Sequence, residues 1–138
     1  MKKLVHTREI SMRTFDLGGH YILVEGSLID HRYQSRGNKA SEQSELVHPM
    51  VIRLKVRGPG MLIKQARANM PHHPREECPE VLPWMRNLEG LKIAPGYSLK
   101  VKKVIGGIPP EWKSVRLRNC AAWFLLSFSQ PHLISNIF

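Results

Sequence analysis

The residue best suited to covalent or metal chemistry is Cys78, which stands directly before Pro79 at the start of a predicted short helix. A thiol at a helix N-terminus experiences the positive end of the helix dipole, which favours the thiolate form. A thiolate can act as a nucleophile or as a soft metal ligand. Free cysteine is also commonly buried as a small unreactive side chain, so both interpretations stay open at Cys78.

A second pair of reactive residue types, Asp30 and His48, stands where one predicted strand ends and the next begins. If these strands are antiparallel neighbours, both residues fall at the same end of the sheet. A carboxylate beside an imidazole can fix the imidazole tautomer or share a metal ion with it. The alternative is a polar pair that closes the loop between the strands.

Other familiar sites are missing or incomplete. His72 and His73 precede Cys78 at a spacing that can bind zinc, but no second Cys/His pair follows at zinc-finger distance. The pattern therefore argues against a structural zinc finger. The sequence also contains no nucleophile elbow, no P-loop and no HExxH motif.

The charge balance suggests nucleic acid as a partner without favouring it. The 138-residue chain carries 21 Lys and Arg against 11 Asp and Glu, a formal net charge of +10. Lys100, Lys102 and Lys103 form the one tight cluster and, with the polar loop 32–45, would be the contacts of a basic nucleic-acid-binding module. Elsewhere acidic residues interleave with basic ones, and a solvated basic surface is the alternative.

Hydrophobic periodicity places Asp30 and His48 on an antiparallel sheet of about four strands. Two glycines between the first two alternating segments predict a hairpin, and the polar loop 32–45 separates this hairpin from the rest. Gly58-Pro59-Gly60 predicts a second turn. The predicted strands cover residues 9–15, 21–30, 50–56 and 61–68.

The second half of the chain predicts helices. Prolines limit the start of a short helix near residues 80–88, because proline fits only the first turn of an α-helix. Apolar residues at helical spacing predict another helix that begins at Pro95-Gly96 and ends before Gly106-Gly107. The predicted fold class is therefore α+β, with two or three helices packed on one face of the sheet.

Composition is that of an ordinary folded protein, with 42% hydrophobic and 23% charged residues. Two cysteines cannot build a disulfide framework, which favours a reduced, cytoplasmic protein. No secretory signal is visible. The longest apolar run, residues 121–126, is far shorter than the roughly 20 residues of a membrane-spanning helix.

Several short motifs in a fixed order resemble the bacterial domain-of-unknown-function family 2889 (DUF2889). The resemblance covers residues 5–107 and implies one α+β domain over residues 1–107, but the family has no established activity to transfer. The motifs are Val5-His6-Thr7-Arg8, Glu25-Gly26-Ser27-Leu28-Ile29-Asp30, Val47-His48-Pro49-Met50, Cys78-Pro79, Leu88-Glu89-Gly90-Leu91-Lys92-Ile93, Pro95-Gly96-Tyr97 and Val104-Ile105-Gly106-Gly107.

The sequence departs from the family pattern after the double glycine. The family continues with Gly-Cys-Thr-His-Leu, whereas this chain continues with Ile108-Pro109-Pro110 and lacks that motif. Residues 108–138 are interpreted as a divergent apolar tail or the product of a frameshift. Residues 121–138 would then offer a surface for self-association.

The leading hypothesis is a small accessory or scaffold domain with a metal or small-ligand site near Asp30, His48 and Cys78. In the family pattern His48, Cys78 and the missing Cys-Thr-His residues would be metal ligands, and thiolate with imidazole suits zinc or iron. One alternative is an enzyme for a small organic or acyl substrate, with Cys78 as nucleophile and His48 as base. Others are the basic nucleic-acid-binding module and a degraded family member without a working site.

Overall fold

The computed structural model describes residues 2–33, 44–73, 76 and 78–105. Four antiparallel strands lie side by side in the order of the sequence, and a 3₁₀ helix and a short α-helix follow them. The elements are β1 (His6–Gly18), β2 (Tyr21–Tyr33), β3 (Ser44–Arg57), β4 (Leu62–Asn69), the 3₁₀ helix (Cys78–Leu88) and α1 (Tyr97–Ile105).

The turn between β1 and β2 sets the register of the first hairpin. Gly18 and Gly19 have φ angles of +73° and +59°, a region that glycine enters without steric cost. The Asp16 carboxylate accepts a hydrogen bond of 2.8 Å from the Gly18 amide and holds this turn. A register shift between Asp16 and Gly18 follows the turn, and the regular pairing beyond it places Arg8 directly opposite Asp30.

The core lies on one face of β2, β3 and β4. Along β3 the buried side chains of Ile52, Leu54 and Val56 alternate with Arg53, Lys55 and Arg57, as expected for a strand with one covered face. The 3₁₀ helix contributes Met85 and Leu88 to this core, and α1 contributes Val101. Other core residues are Val24, Met50, Ile63, Ala66 and Met70.

The segment after the 3₁₀ helix covers the outer edge of β4. The Ile63 amide donates to the Leu91 carbonyl at 2.9 Å, and the Gly90 amide donates to the Ile63 carbonyl at 2.8 Å. The Glu89 carboxylate accepts a hydrogen bond of 3.0 Å from the Ala66 amide. These bonds occupy backbone groups that an edge strand would otherwise expose.

The prediction of two or three helices packed on one face is wrong. The described residues after the sheet form one nine-residue α-helix and an 11-residue 3₁₀ helix. Pro83 lies inside that 3₁₀ helix, and a proline there lacks an amide donor and clashes with the preceding turn of an α-helix. The segment therefore keeps an apolar face toward the sheet but does not wind as an α-helix.

The first three strands are longer than the sequence predicts. β1 and β2 have 13 residues each and β3 has 14. They take up both ends of the predicted loop 32–45, and residues 34–43 lie outside the described residues. The predicted tail, residues 108–138, also lies outside them. In the described part of the chain, no helix has the length and apolar character needed to cross a membrane.

Candidate functional site

Asp30 is the one charged residue that is buried among the residues that the structure describes, with 2% of its surface exposed. It has the same parity along β2 as the buried Val24 and Leu28, so the strand directs its carboxylate toward the core face. A buried carboxylate is costly unless ion pairs and hydrogen bonds compensate its lost hydration. The surroundings of Asp30 supply both.

Arg8 on β1 holds the Asp30 carboxylate with two parallel hydrogen bonds. Arg8 Nε donates to Oδ1 and Nη2 donates to Oδ2, each at 2.9 Å. These hydrogen bonds are the largest effect on the pKa of Arg8 and raise it; desolvation opposes them, and the charge of Asp30 adds to them. The guanidinium therefore stays protonated, in the forked geometry that fits a carboxylate.

His6 brings an imidazole to the same carboxylate. Its Nε2 atom lies 3.6 Å from Asp30 Oδ2, and its side chain is 45% exposed. His6 and Arg8 share one face of β1, since they are two residues apart on a strand. A guanidinium and a solvent-accessible imidazole thus converge on one buried carboxylate.

The backbone of β3 places His48 beside this group. Leu28 pairs with Met50 and Asp30 pairs with Val47, so His48 and Pro49 together stand opposite Ile29. This irregularity accommodates Pro49, because a proline cannot donate to a regular sheet ladder. The side chain of His48 lies outside the described residues, so the predicted Asp30–His48 pair stays a prediction about side chains. We call this region, with His6, Arg8 and Asp30, the Asp30 end of the sheet.

Cys78 begins the 3₁₀ helix, and its side chain lies outside the described residues. That Cys78 lies close to Asp30 stays a prediction, and so does its role as a nucleophile. Within the described residues, no group of three or more His, Cys, Asp and Glu side chains is arranged to hold a metal ion. His72 is exposed and His73 is half-buried in the segment before the helix.

The predicted lysine cluster lies on α1. Lys100 and Lys103 are exposed, whereas the side chain of Lys102 is outside the described residues. The opposite side of α1 packs on the core through Val101 and the partly buried Tyr97. Burial raises the pKa of Tyr97 to about 12. α1 therefore presents at least two solvated cations, with its apolar side toward the sheet.

Sequence reasoning missed the roles of Arg8 and His6. The two-glycine turn gives only part of the signal: counting back from the Gly18–Tyr21 pair would bring Arg8 opposite His31, and a register shift between Asp16 and Gly18 moves it opposite Asp30. An arginine opposite an aspartate at an inward-facing position predicts an ion pair across the strands. The partner predicted for Asp30, His48, stands instead on the following strand.

A small cavity lies at the end of the sheet opposite Asp30, between the two tight turns. The Gly58 amide donates to the His20 carbonyl at 2.8 Å and joins these turns. The cavity beside them has a volume of about 280 Å³ and is lined by Asp16, Tyr21 and Met61 among others. Ligand pockets usually measure about 300–1,000 Å³. This cavity is therefore slightly smaller than a usual ligand pocket.

Comparison with known proteins gives one match. The sequence model of a family described as "Protein of unknown function (DUF2889)" matches residues 6–109. No curated protein and no solved structure matches the chain.

Proposed function

Since the chain belongs to the DUF2889 family of proteins of unknown function, its activity must be inferred from its own residues. We propose that it is a small accessory domain that binds one transition-metal ion, zinc or iron(II), at the Asp30 end of the sheet. In the proposed site Asp30 supplies an oxygen, His6 and His48 supply nitrogens, and Cys78 supplies a thiolate.

The observation that carries this proposal is the position of His6 Nε2, 3.6 Å from Oδ2 of a buried carboxylate. The hydrogen bonds from Arg8 leave acceptor positions on the Asp30 carboxylate, because each carboxylate oxygen has two of them. Metal-binding carboxylates are themselves usually held by hydrogen bonds from neighbouring groups. Arg8 is therefore assigned the role of a positioning residue, which fixes the plane of the carboxylate.

The donor types determine which metal ion fits. Imidazole and thiolate favour zinc or iron, whereas magnesium and calcium prefer oxygen donors alone. The described side chains provide two of the four proposed donors, Asp30 and His6. His48 is included because the register of β3 places its backbone beside Asp30. Cys78 is included because of its position at the start of the 3₁₀ helix. A bound ion would cross-link β1, β2, β3 and the 3₁₀ helix.

The test is the metal content of the full chain, purified without oxygen and without an affinity tag, by inductively coupled plasma mass spectrometry. The expected result is about one zinc or iron ion per wild-type chain. Asp30→Asn and Cys78→Ser should each lose most of the metal. His31→Ala is the matched control, because His31 follows Asp30 on β2 and faces the other side of the sheet.

Two outcomes would contradict the proposal. The first is a wild-type chain that folds, as judged by circular dichroism, and neither retains nor takes up zinc or iron(II). The second is an equal metal content in the wild type and in folded Asp30→Asn and Cys78→Ser. Selective alkylation of a metal-free Cys78 at neutral pH would then favour the thiol-dependent enzyme instead.

A further inference from the structure

The face of the sheet opposite the core carries a column of cations. Arg53, Lys55 and Arg57 occupy alternate positions of β3, so they project from the same face at intervals of about 7 Å. Arg53 and Arg57 are exposed, and Lys55 is half-buried. Surface lysines and arginines commonly point in many directions, but here the strand itself aligns them.

Neighbouring strands widen this column into a row. The backbone register places Glu25 between Arg13 on β1 and Arg53 on β3, with Arg67 next to Arg53 on β4. Arg13 Nη2 and Arg53 Nε lie 3.2 and 2.7 Å from separate oxygens of Glu25. One carboxylate thus spaces two guanidinium groups and leaves their net charge positive.

The three arginines of this row are accessible to an anion. The side chains of Arg13, Arg53 and Arg67 are 68%, 48% and 47% exposed. Arg67 also contacts Glu89 at 3.1 Å. Exposed ion pairs of this kind are weak, so a phosphate can compete with the carboxylates for the guanidinium groups.

Aromatic rings border the same cations. The Lys55 Nζ atom lies 4.7 Å from the centroid of the Tyr21 ring. Phe15 is 42% exposed and stands in the same row of the sheet as Lys55, with Leu23 between them. Rings beside aligned cations provide both contacts that a single-stranded nucleic acid needs: stacking for bases and positive charge for phosphates.

We propose that this surface, the outer basic face, binds single-stranded nucleic acid. Its cations are Arg13, Arg53, Lys55, Arg57 and Arg67, and its rings are Phe15 and Tyr21. This surface is independent of the metal site, because it lies on the other side of the sheet. It also differs from the lysines of α1.

The dimensions favour a single strand over a duplex. Adjacent strands lie about 4.8 Å apart, so four of them span about 14 Å before side chains are added. The major groove of a DNA duplex is only about 12 Å wide and admits a helix or a two-stranded ribbon. In addition, a duplex keeps its base faces stacked inside, where Phe15 cannot reach them.

The first experiment measures binding of fluorescein-labelled 12-nucleotide oligo(U) and oligo(dT) to the full chain by fluorescence anisotropy. The double variant Arg53→Gln/Lys55→Gln should weaken binding about ten-fold or more and reduce the slope of log K against log salt by about 1.4. Lys100→Gln/Lys103→Gln is the matched control, since it removes the same charge from α1. It should weaken binding less than about three-fold by general electrostatics.

Comparison of the two variants decides between a defined surface and net charge. An equal loss of affinity in both, with both folded by circular dichroism, would overturn the proposal. Binding of a 12-base-pair duplex as tight as that of the single strands would also overturn it. Oligo(dU), which differs from oligo(U) only in its sugar, is measured beside them, and tighter binding of oligo(U) than of oligo(dU) would identify RNA as the ligand.

The second experiment isolates stacking from charge. Phe15→Ala should weaken oligonucleotide binding about five-fold or more, because stacking on an aromatic ring contributes on that scale. Binding of inorganic polyphosphate, which has no bases, should not change. Unchanged oligonucleotide affinity in a folded Phe15→Ala variant would overturn the proposal in favour of unspecific attraction of anions.

Discussion

The chain builds two guanidinium–carboxylate groups across the same pair of strands, and they lie on opposite faces of the sheet. Arg8 pairs with Asp30, and Arg13 pairs with Glu25, five residues later on β1 and five residues earlier on β2. An odd separation reverses the face, because side chains alternate along a strand. The Asp30 side chain is 3% exposed and that of Glu25 is 14% exposed.

The difference in surroundings gives the two groups different roles. Asp30 has lost its hydration and depends on Arg8, whose charge in turn is held by two hydrogen bonds. Glu25 spaces two arginines that remain in contact with water. The same pair of functional groups therefore fixes structure on the covered face and stays available to ligands on the open face.

The largest expected effect is a loss of folding stability when the Arg8–Asp30 pair is broken. Asp30→Ala leaves the Arg8 guanidinium without its carboxylate and should lower the free energy of unfolding by about 3 kcal/mol, toward the low end for buried pairs because Arg8 is 37% exposed. Urea denaturation at 25 °C measures this. Replacing both partners by leucine should cost less than Asp30→Ala alone. A loss below about 0.5 kcal/mol in Asp30→Ala would show that the pair does not stabilise the fold.

The second-largest expected effect is a loss of stability at alkaline pH, which tests the burial of Tyr97 on the covered face. Burial raises the pKa of Tyr97 to about 12 in the folded chain, whereas an unfolded tyrosine has a pKa of about 10. The neutral phenol is favoured in the folded state, so this contribution is complete below pH 10 and is lost as the pH rises toward 12. Tyr97 should thus contribute about 1.4 kcal/mol of destabilisation between pH 9 and pH 11.

The measurement for Tyr97 is urea denaturation of the wild type and Tyr97→Phe at pH 9 and pH 11. Phenylalanine cannot ionise, so the variant should lose about 1.4 kcal/mol less than the wild type over this interval. Titration of the lysines is common to both proteins and cancels in the difference. Equal losses would mean that α1 does not hold Tyr97 against the core.

The smallest expected effect concerns the open face. Glu25→Gln should change the free energy of unfolding by less than about 0.5 kcal/mol, because exposed ion pairs contribute little. The same change should tighten the binding of oligo(U), since it frees the charge of Arg13 and Arg53. Urea denaturation and anisotropy measure the two quantities on one sample. A large loss of stability would place Glu25 in the same class as Asp30.

The sheet could be predicted from the sequence because its alternation is strong. Ile52, Leu54 and Val56 alternate with three cations, and such a pattern has one stable solution, a strand with one covered face. The prediction for the second half of the chain was wrong where a single proline decided the backbone geometry. The amphipathic pattern of residues 80–88 favoured an α-helix, but Pro83 inside it favours the 3₁₀ form that the structure shows.

The candidate site was accessible to sequence reasoning only in part. Asp30 could be selected by residue type, and its burial follows from its parity with Val24 and Leu28. Its partner Arg8 required the register of the hairpin, which depends on the turn after Gly18 and on a register shift between Asp16 and Gly18. The position of His48 depends on the irregular pairing of β2 and β3 between Leu28 and Asp30. No local sequence pattern predicts such a shift in register between two strands.

The hydrogen bonds of residues 89–93 to β4 have a consequence for assembly. Of the two edges that the described strands form, the β4 edge is partly covered by Glu89, Gly90 and Leu91, so β1 is the more open edge for pairing with another chain. Two β1 strands that pair antiparallel form a two-fold symmetric dimer in which both β1 edges are used. Within the described residues, the sheet thus favours a closed dimer through β1 over a repeating array of sheets.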